Sequence, residues 1–131
     1  MADVTLVRRA IEGWNAERSL RGDRFTDDFV WDMSTFEGWT EERRYPGLEG
    51  ARRFLDTWTA AWDQYDLKVE DVRPGAGGKV VADVVQHAVS PAGLEVEMEF
   101  AMVWTVRDGM FAYMSMFRDR AAAAAAAAKK P

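Results

Sequence analysis

Two runs, Leu94–Arg107 and Met110–Arg118, joined by Asp108-Gly109, constrain this chain more than any other stretch. In the first run Val96, Met98, Phe100, Met102, Trp104 and Val106 alternate with Glu95, Glu97, Glu99, Ala101, Val103 and Thr105. A period of two held over so many residues predicts a long strand with one buried face. Asp-Gly between apolar runs predicts a tight hairpin, because both residues tolerate positive φ. The returning strand carries large apolar groups on both faces, as strands covered on both sides do. One face is therefore expected to close a core or cavity, and the other to meet a second subunit.

A chain of 131 residues is the size of one domain with a real core, and 48% hydrophobic residues with six tryptophans agree. Lys and Arg number 17 against 22 Asp and Glu, a formal charge of −5, which argues against nucleic acid as a partner. Cysteine is absent, which removes disulfides, thiolate catalysis and thiolate metal sites. With one histidine and no carboxylate cluster at ligand spacing, no metal is expected either. Pro74–Gly78 lacks the lysine and following helix of a phosphate loop, and no cofactor is expected. Met1–Thr5 has no signal-peptide pattern and no apolar run approaches the roughly 20 residues of a membrane span. The expectation is a soluble cytoplasmic protein.

Leu6, Val7, Ala10, Ile11 and Trp14 recur at helical spacing behind Asp3 or Thr5 as cap. Ser19–Asp28 is polar, with room for one helical turn. Phe29–Phe36 reads as a strand with Phe29, Trp31 and Met33 on one side and Val30, Asp32 and Ser34 on the other. Glu37–Pro46, with Trp39, reads as a loop folded over a pocket mouth. A second helix is predicted over Leu48–Gln64, with Leu48, Ala51, Leu55, Trp58 and Trp62 in one stripe widened by Phe54. Tyr65–Arg73 and Val80–Val89 complete the strands. The order is helix, strand, helix, then a four-stranded meander, an α+β design. Residues 1–120 form the expected domain. Residues 121–131 are an alanine-rich tail or helix, too short to hold a helix alone in water but able to form one docked on the domain.

Val7–Ala10 with Trp14-Asn15-Ala16, Phe25–Asp32, Tyr45–Gly50 and Val103–Gly109 resemble, in order and spacing, the SnoaL-like polyketide cyclase family. That family lies in the superfamily of nuclear transport factor 2, ketosteroid isomerase and limonene epoxide hydrolase. The resemblance covers nearly the whole domain. It implies a cone-shaped, curved, mostly antiparallel sheet wrapped around helices with an internal apolar pocket (a cystatin-like α+β barrel), commonly as a homodimer. Asp32 falls where ketosteroid isomerase has its base. Ala10 and Met102 stand where that enzyme has its oxyanion-binding tyrosine and protonated aspartic acid. Val84, Gln86 and Met116 stand at the acid–base positions of limonene epoxide hydrolase, so neither mechanism transfers whole.

Strand periodicity combined with the resemblance points Asp32 into the cavity. Its walls would be Trp14, Phe54, Trp58, Trp62, Phe100, Met102 and Trp104, with Met116 behind and Trp39 at the mouth. A carboxylate so desolvated should titrate above the usual value of about 4 and serve as a proton carrier. The plainer alternative is an aspartate that bonds loop amides or an arginine. The resemblance sends Gln86 into the cavity as a neutral polar group and leaves His87 outside beside Asp83. Inverted, Asp83 and His87 would face the pocket roughly 13 Å apart. Tyr65 and Tyr113 read as core packing. The expected function is binding of a hydrophobic, aromatic or polycyclic metabolite, with cofactor-free isomerisation, dehydration or cyclisation by Asp32. The alternative is a non-catalytic binding or dimerising module, paired through the outer sheet face.

Overall fold

The computed structural model describes residues 2–17 and 24–129. Helix α1 (Ala2–Glu17) leads to strands β1 (Val30–Asp32) and β2 (Arg44–Pro46) and then helix α2 (Gly47–Ala60). Strands β3 (Gln64–Pro74), β4 (Lys79–Val89), β5 (Glu95–Arg107) and β6 (Met110–Phe117) follow, and α3 (Arg120–Ala128) ends the chain. The six strands form one sheet in the order β2-β1-β6-β5-β4-β3, antiparallel except where β1 runs parallel to β6. The turn expected within Ser19–Asp28 lies largely outside the described residues. Among the described residues no helix is long and apolar enough to cross a membrane.

The hairpin forms as its pattern requires. Asp108 and Gly109 take positive φ (54° and 74°), the pair of values a tight hairpin turn needs. Trp104 and Met102 of β5 stand opposite Met114 and Met116 of β6 on the inner face. A register shift at Thr105/Val106 inserts one extra residue before the turn, which adds local twist. Helix α1 lays Val7, Ile11 and Trp14 on this concave face. Its end is fixed by Asn15, whose side chain accepts from the Leu67 amide at 2.8 Å and donates to Asp66 at 3.0 Å.

Helix α2 contributes Ala51, Phe54, Leu55 and Trp58 to the core. It stops at Ala60, four residues earlier than its stripe suggests, because the Asp63 amide is drawn to the Val89 carbonyl and starts β3. At its other end Gly50 sits so close to β2 that a β-carbon there would lie 2.5 Å from the Tyr45 carbonyl carbon. The stretch expected to be a loop thus contains β2, a three-residue strand too short to show a period. The expected strand Phe29–Phe36 is trimmed to Val30–Asp32.

The aromatic core is continuous. Trp31 stacks on Phe54 (4.8 Å between ring centroids) and meets Trp104 and Trp14 edge-to-face at 6.0 and 6.4 Å. The outer face carries a second, smaller cluster. Val81, Ala101, Val103 and Phe117 are covered there by Ala123 and Ala127 of α3. Asp119 caps α3 by accepting from the Ala121 and Ala122 amides, and Arg120 pairs with Glu70 at 2.8 Å and Glu99 at 3.6 Å. The alanine tail is a helix because it docks. The outer face expected to meet a second subunit is, over β4–β6, covered by the chain's own C-terminus.

The close approach at Gly50 yields a prediction. Gly50→Ala should lose about 1–3 kcal/mol in urea unfolding, because β2 must shift to admit the methyl group. Gly13→Ala, in the middle of α1 with nothing within 4 Å of its would-be β-carbon, should instead gain about 0.5–1 kcal/mol.

Candidate ligand site at the strand ends

Where β3 begins, β4 ends and β5 begins, a groove of about 1110 Å³ opens beside the C-terminus of α2. Trp62, Tyr65, Ala88 and Val96 give it apolar walls, and Asp63, Asp66, His87, Glu95 and Glu97 lie along it. Trp62 is there because α2 ends two residues after Trp58 and leaves the next indole half-buried at the rim. Tyr65 and Ala88 pair across β3 and β4 and both face the core.

Inward from the groove, Trp58 donates its indole N–H to Gln86 at 2.7 Å, with Gln86 1% exposed. The expected inward orientation of Gln86 is therefore observed, and its carbonyl oxygen has a fixed donor. Phe100, Met102, Trp104 and Met116 are all buried in the same core, as are Trp14, Phe54 and Trp58, while Trp39 and Trp62 are partly buried against it. Trp39 packs on Phe54 and Trp58 and donates to the Glu42 carbonyl at 3.0 Å.

The tryptophans divide by what their N–H groups find. Trp39 and Trp58 have acceptors; the buried indole N–H groups of Trp14, Trp31 and Trp104 have none. These three form a row. Tyr65, a groove wall, lies 6.0 Å from Trp14, which touches Trp31, which touches Trp104. A buried donor without a partner costs about 1–3 kcal/mol.

Asp32 lies elsewhere. Trp31 takes the inner face, so Asp32 points to the outer one, beside Ser115 of β6. It is 5% exposed, accepts from the Ser34 amide at 2.8 Å and from the Tyr113 hydroxyl, and pairs with Arg44 Nε at 3.5 Å. The expected elevated titration is not found. Burial pushes the carboxyl up, but the Ser34 and Tyr113 hydrogen bonds and the Arg44 charge together hold it below the ordinary carboxylate range. The plainer alternative, an aspartate bonded to a loop amide and an arginine, describes it. Tyr113, expected as core, is pushed up by burial and by its bond to Asp32.

His87 is exposed on the outer face and pairs with Glu97 at 3.1 Å. Asp83 is bound by Arg73 at 3.0 Å. Neither faces the core, although His87 reaches the groove rim. Of the rim carboxylates, Glu95 and Glu97 read from sequence as a solvated strand face, and Asp63 and Asp66 carried no signal. The signal for Glu95 and Glu97 was there in their alternation with Val96, which the exposed strand end turns toward one cleft. Among the described residues no three histidine or carboxylate groups are placed to share a metal ion.

Residues 7–114 match the family model of the SnoaL-like domain. The chain belongs to the SnoaL-like domain family. Three solved structures share the SnoaL-like architecture seen here. TerC, co-crystallised with polyporic acid, is 17% identical over 93% of this chain and 95% of its own, with a TM-score of 0.75. A candidate SnoaL-like polyketide cyclase from Jannaschia sp. CCS1 is 23% identical over 99% and 94%, with a TM-score of 0.70. An NTF2-like protein of unknown function from Burkholderia pseudomallei K96243 is 14% identical over 93% and 94%, with a TM-score of 0.74. No curated protein matches the chain.

The Asp32 cluster makes a pH-dependent contribution with a definite sign. Its carboxyl is depressed in the folded state, so the stability it confers is present above the unfolded value of about 3.9 and is lost as pH falls through the folded value. Asp32→Asn should cost about 1–3 kcal/mol at pH 7, and the wild-type advantage should shrink as the pH is lowered below 4. Urea unfolding of both proteins from pH 7 to pH 2.5 checks this; a constant difference would contradict it.

Proposed function

We propose that this SnoaL-like protein binds a hydrophobic, aromatic small molecule in the groove, with oxygen acceptors turned toward the row of unpaired indole donors. The observation that carries this reading is the continuity from the groove wall at Tyr65 to Trp14, Trp31 and Trp104, whose N–H groups lack partners. Water at a polar rim pairs such groups readily; an aromatic interior does not. A ligand that brings a carbonyl or hydroxyl oxygen to Trp14 would gain a hydrogen bond that the empty protein forgoes. The methionines of the inner sheet face, Met102, Met114 and Met116, are unbranched and adjust to an entering ring at low cost. TerC, co-crystallised with polyporic acid, is a structure of the same fold seen with a small molecule.

Binding rather than proton transfer by Asp32 is what the geometry supports. That carboxylate is ionised, paired and on the opposite side of the sheet from the aromatic core. The homodimer through the outer face has less support than the ligand, because α3 occupies much of that face.

Titration with the neutral dye Nile red, followed by its emission, tests the reading. Trp62→Ala removes a wall at a partly exposed position and should weaken the dye by about tenfold, the effect of losing roughly 1.4 kcal/mol of apolar contact. Trp14→Phe keeps a ring but deletes the donor, and should weaken it by about fivefold, one neutral hydrogen bond. Saturable binding that neither substitution alters would overturn the assignment, as would no saturable binding at all.

A further inference from the structure

The segment that joins β1 to β2 plugs the gap between helix and sheet while belonging to neither. Residues 34–42 have no regular structure, and the Met33 amide donates to the Arg43 carbonyl at 2.7 Å, which draws the two ends together as in an Ω-loop. Inside the loop the Phe36 amide donates to Met33 at 3.0 Å and the Trp39 amide to Phe36 at 3.2 Å. Across to the body of the fold, Thr35 donates to the Met116 carbonyl at 2.9 Å. Glu42 pairs with Arg53 of α2 at 2.8 Å, between half-exposed side chains whose attraction is worth little in water. The apolar moorings are two rings. Phe36, 7% exposed, meets Trp58 of α2 and Phe100 of β5 edge-to-face, at 5.7 and 6.4 Å between centroids. Trp39 lies against Phe54 and Trp58 of α2 at 5.2 and 5.8 Å.

A core position filled by a loop differs in energy from one filled by a helix or strand. Withdrawing a ring borne on α2 or β5 would break the backbone bonds of that element. Withdrawing Phe36 breaks only the turns and moorings of its own loop and leaves β1 paired to β2 and β6. Such a segment opens at a fraction of the cost of unfolding the sheet. What it leaves is a ring-sized hollow faced by Phe54, Trp58 and Phe100, beside Gln86, whose side-chain oxygen Trp58 holds. None of these residues lines the groove. We propose that residues 34–42 are a lid and that Phe36 stands in for part of a guest: when the lid swings out, a flat aromatic ring takes the place of Phe36 between Trp58 and Phe100. The inference rests on the binding reading above only for the class of guest, and it assigns that guest a second site, separate from the groove. Because the hollow exists only in open chains, the apparent affinity of the guest is reduced by the open fraction.

Phenol, one uncharged ring soluble enough to reach a weak site, is the probe, and amide hydrogen exchange of the full chain at pH 7 is the readout. The Met33, Phe36 and Trp39 amides report the loop; the Met102 and Val103 amides report the centre of the sheet. Without phenol the three loop amides should exchange together, within about threefold of one another after correction for intrinsic rates, and about a hundredfold or more faster than those of β5. Near saturation, phenol should hold the lid open and speed the loop amides by about tenfold, while it slows those of β5 by stabilising the fold. Phe36→Ala removes the stand-in ring and should tighten phenol by about tenfold or more, read from the ¹H–¹⁵N resonance of the Trp58 indole. Loop amides that exchange only as fast as β5 would overturn the lid. Loop exchange that phenol slows or leaves unchanged would overturn the second site, as would phenol binding no tighter in Phe36→Ala than in the wild type. The groove is judged separately by the Nile red titration, so its failure and the failure of the lid are told apart.

Discussion

The position of β1 depends on a single alternation, Trp31 inward and Asp32 outward. A strand of three residues has little backbone bonding of its own, so its side chains must hold it between β2 and β6. On the inner side Trp31 stacks on Phe54 of α2 and abuts Trp104 of β5, which ties helix, edge and centre of the sheet together. Aromatic pairs of this kind add about 0.5–1.5 kcal/mol each beyond their buried area. On the outer side the Asp32 carboxylate accepts from Tyr113 of β6 and pairs with Arg44 of β2. Both neighbours of β1 are thus bound through one residue. Were Asp32 turned inward, Trp31 would face water and the sheet would lose its link to α2.

Coverage of the outer face follows a different chemistry. Where α3 lies, the strands present Val81, Ala101, Val103 and Phe117, and the helix answers with Ala123 and Ala127. Alanine lets the helix backbone come close: the Ala127 carbonyl accepts from the Ala76 amide at 2.8 Å, a contact a larger side chain would push away. Beyond the helix the same face is charged, with Glu97 paired to His87 and Glu99 to Arg120. The two-sided apolar character of β5 and β6 is therefore satisfied within one chain.

Much of this was legible in the residues. The hairpin and the two long helices follow from periods of two and 3.6, which are strong where elements are long, whereas the inward face of Gln86 followed from the family resemblance, since the alternation of β4 left either face open. The β2 strand was not legible, since three residues carry no period and Arg44-Tyr45-Pro46 is defined only by pairing with β1. The face of Asp32 is the instructive case. Alternation puts Phe29, Trp31 and Met33 together, and three large apolar side chains choose the core, whereas strand periodicity combined with the family resemblance had pointed Asp32 inward. Burial energetics decided the matter, because exposing Trp31 would forfeit far more than an ionised carboxylate could gain inside. The groove was illegible for another reason: its lining comes from three strand ends and one helix end, brought together only by the sheet's register.

That register also explains why the groove and the unpaired donors belong to one feature. Pairing of Tyr65 with Ala88, and of Ala88 with Val96, stacks three inward positions at the rim, with Gln86 and Met98 one inward step deeper. Trp58 satisfies Gln86 from α2, so the polar group nearest the rim on the sheet side is spent. Trp14 approaches Tyr65 from α1 with its N–H unanswered. An indole N–H left without an acceptor inside a core carries its desolvation cost of about 1–3 kcal/mol uncompensated. Three indoles in contact, the first against Tyr65 of the groove wall, are what the proposed binding reading would use: a ligand oxygen that reached one of them would offset part of that cost.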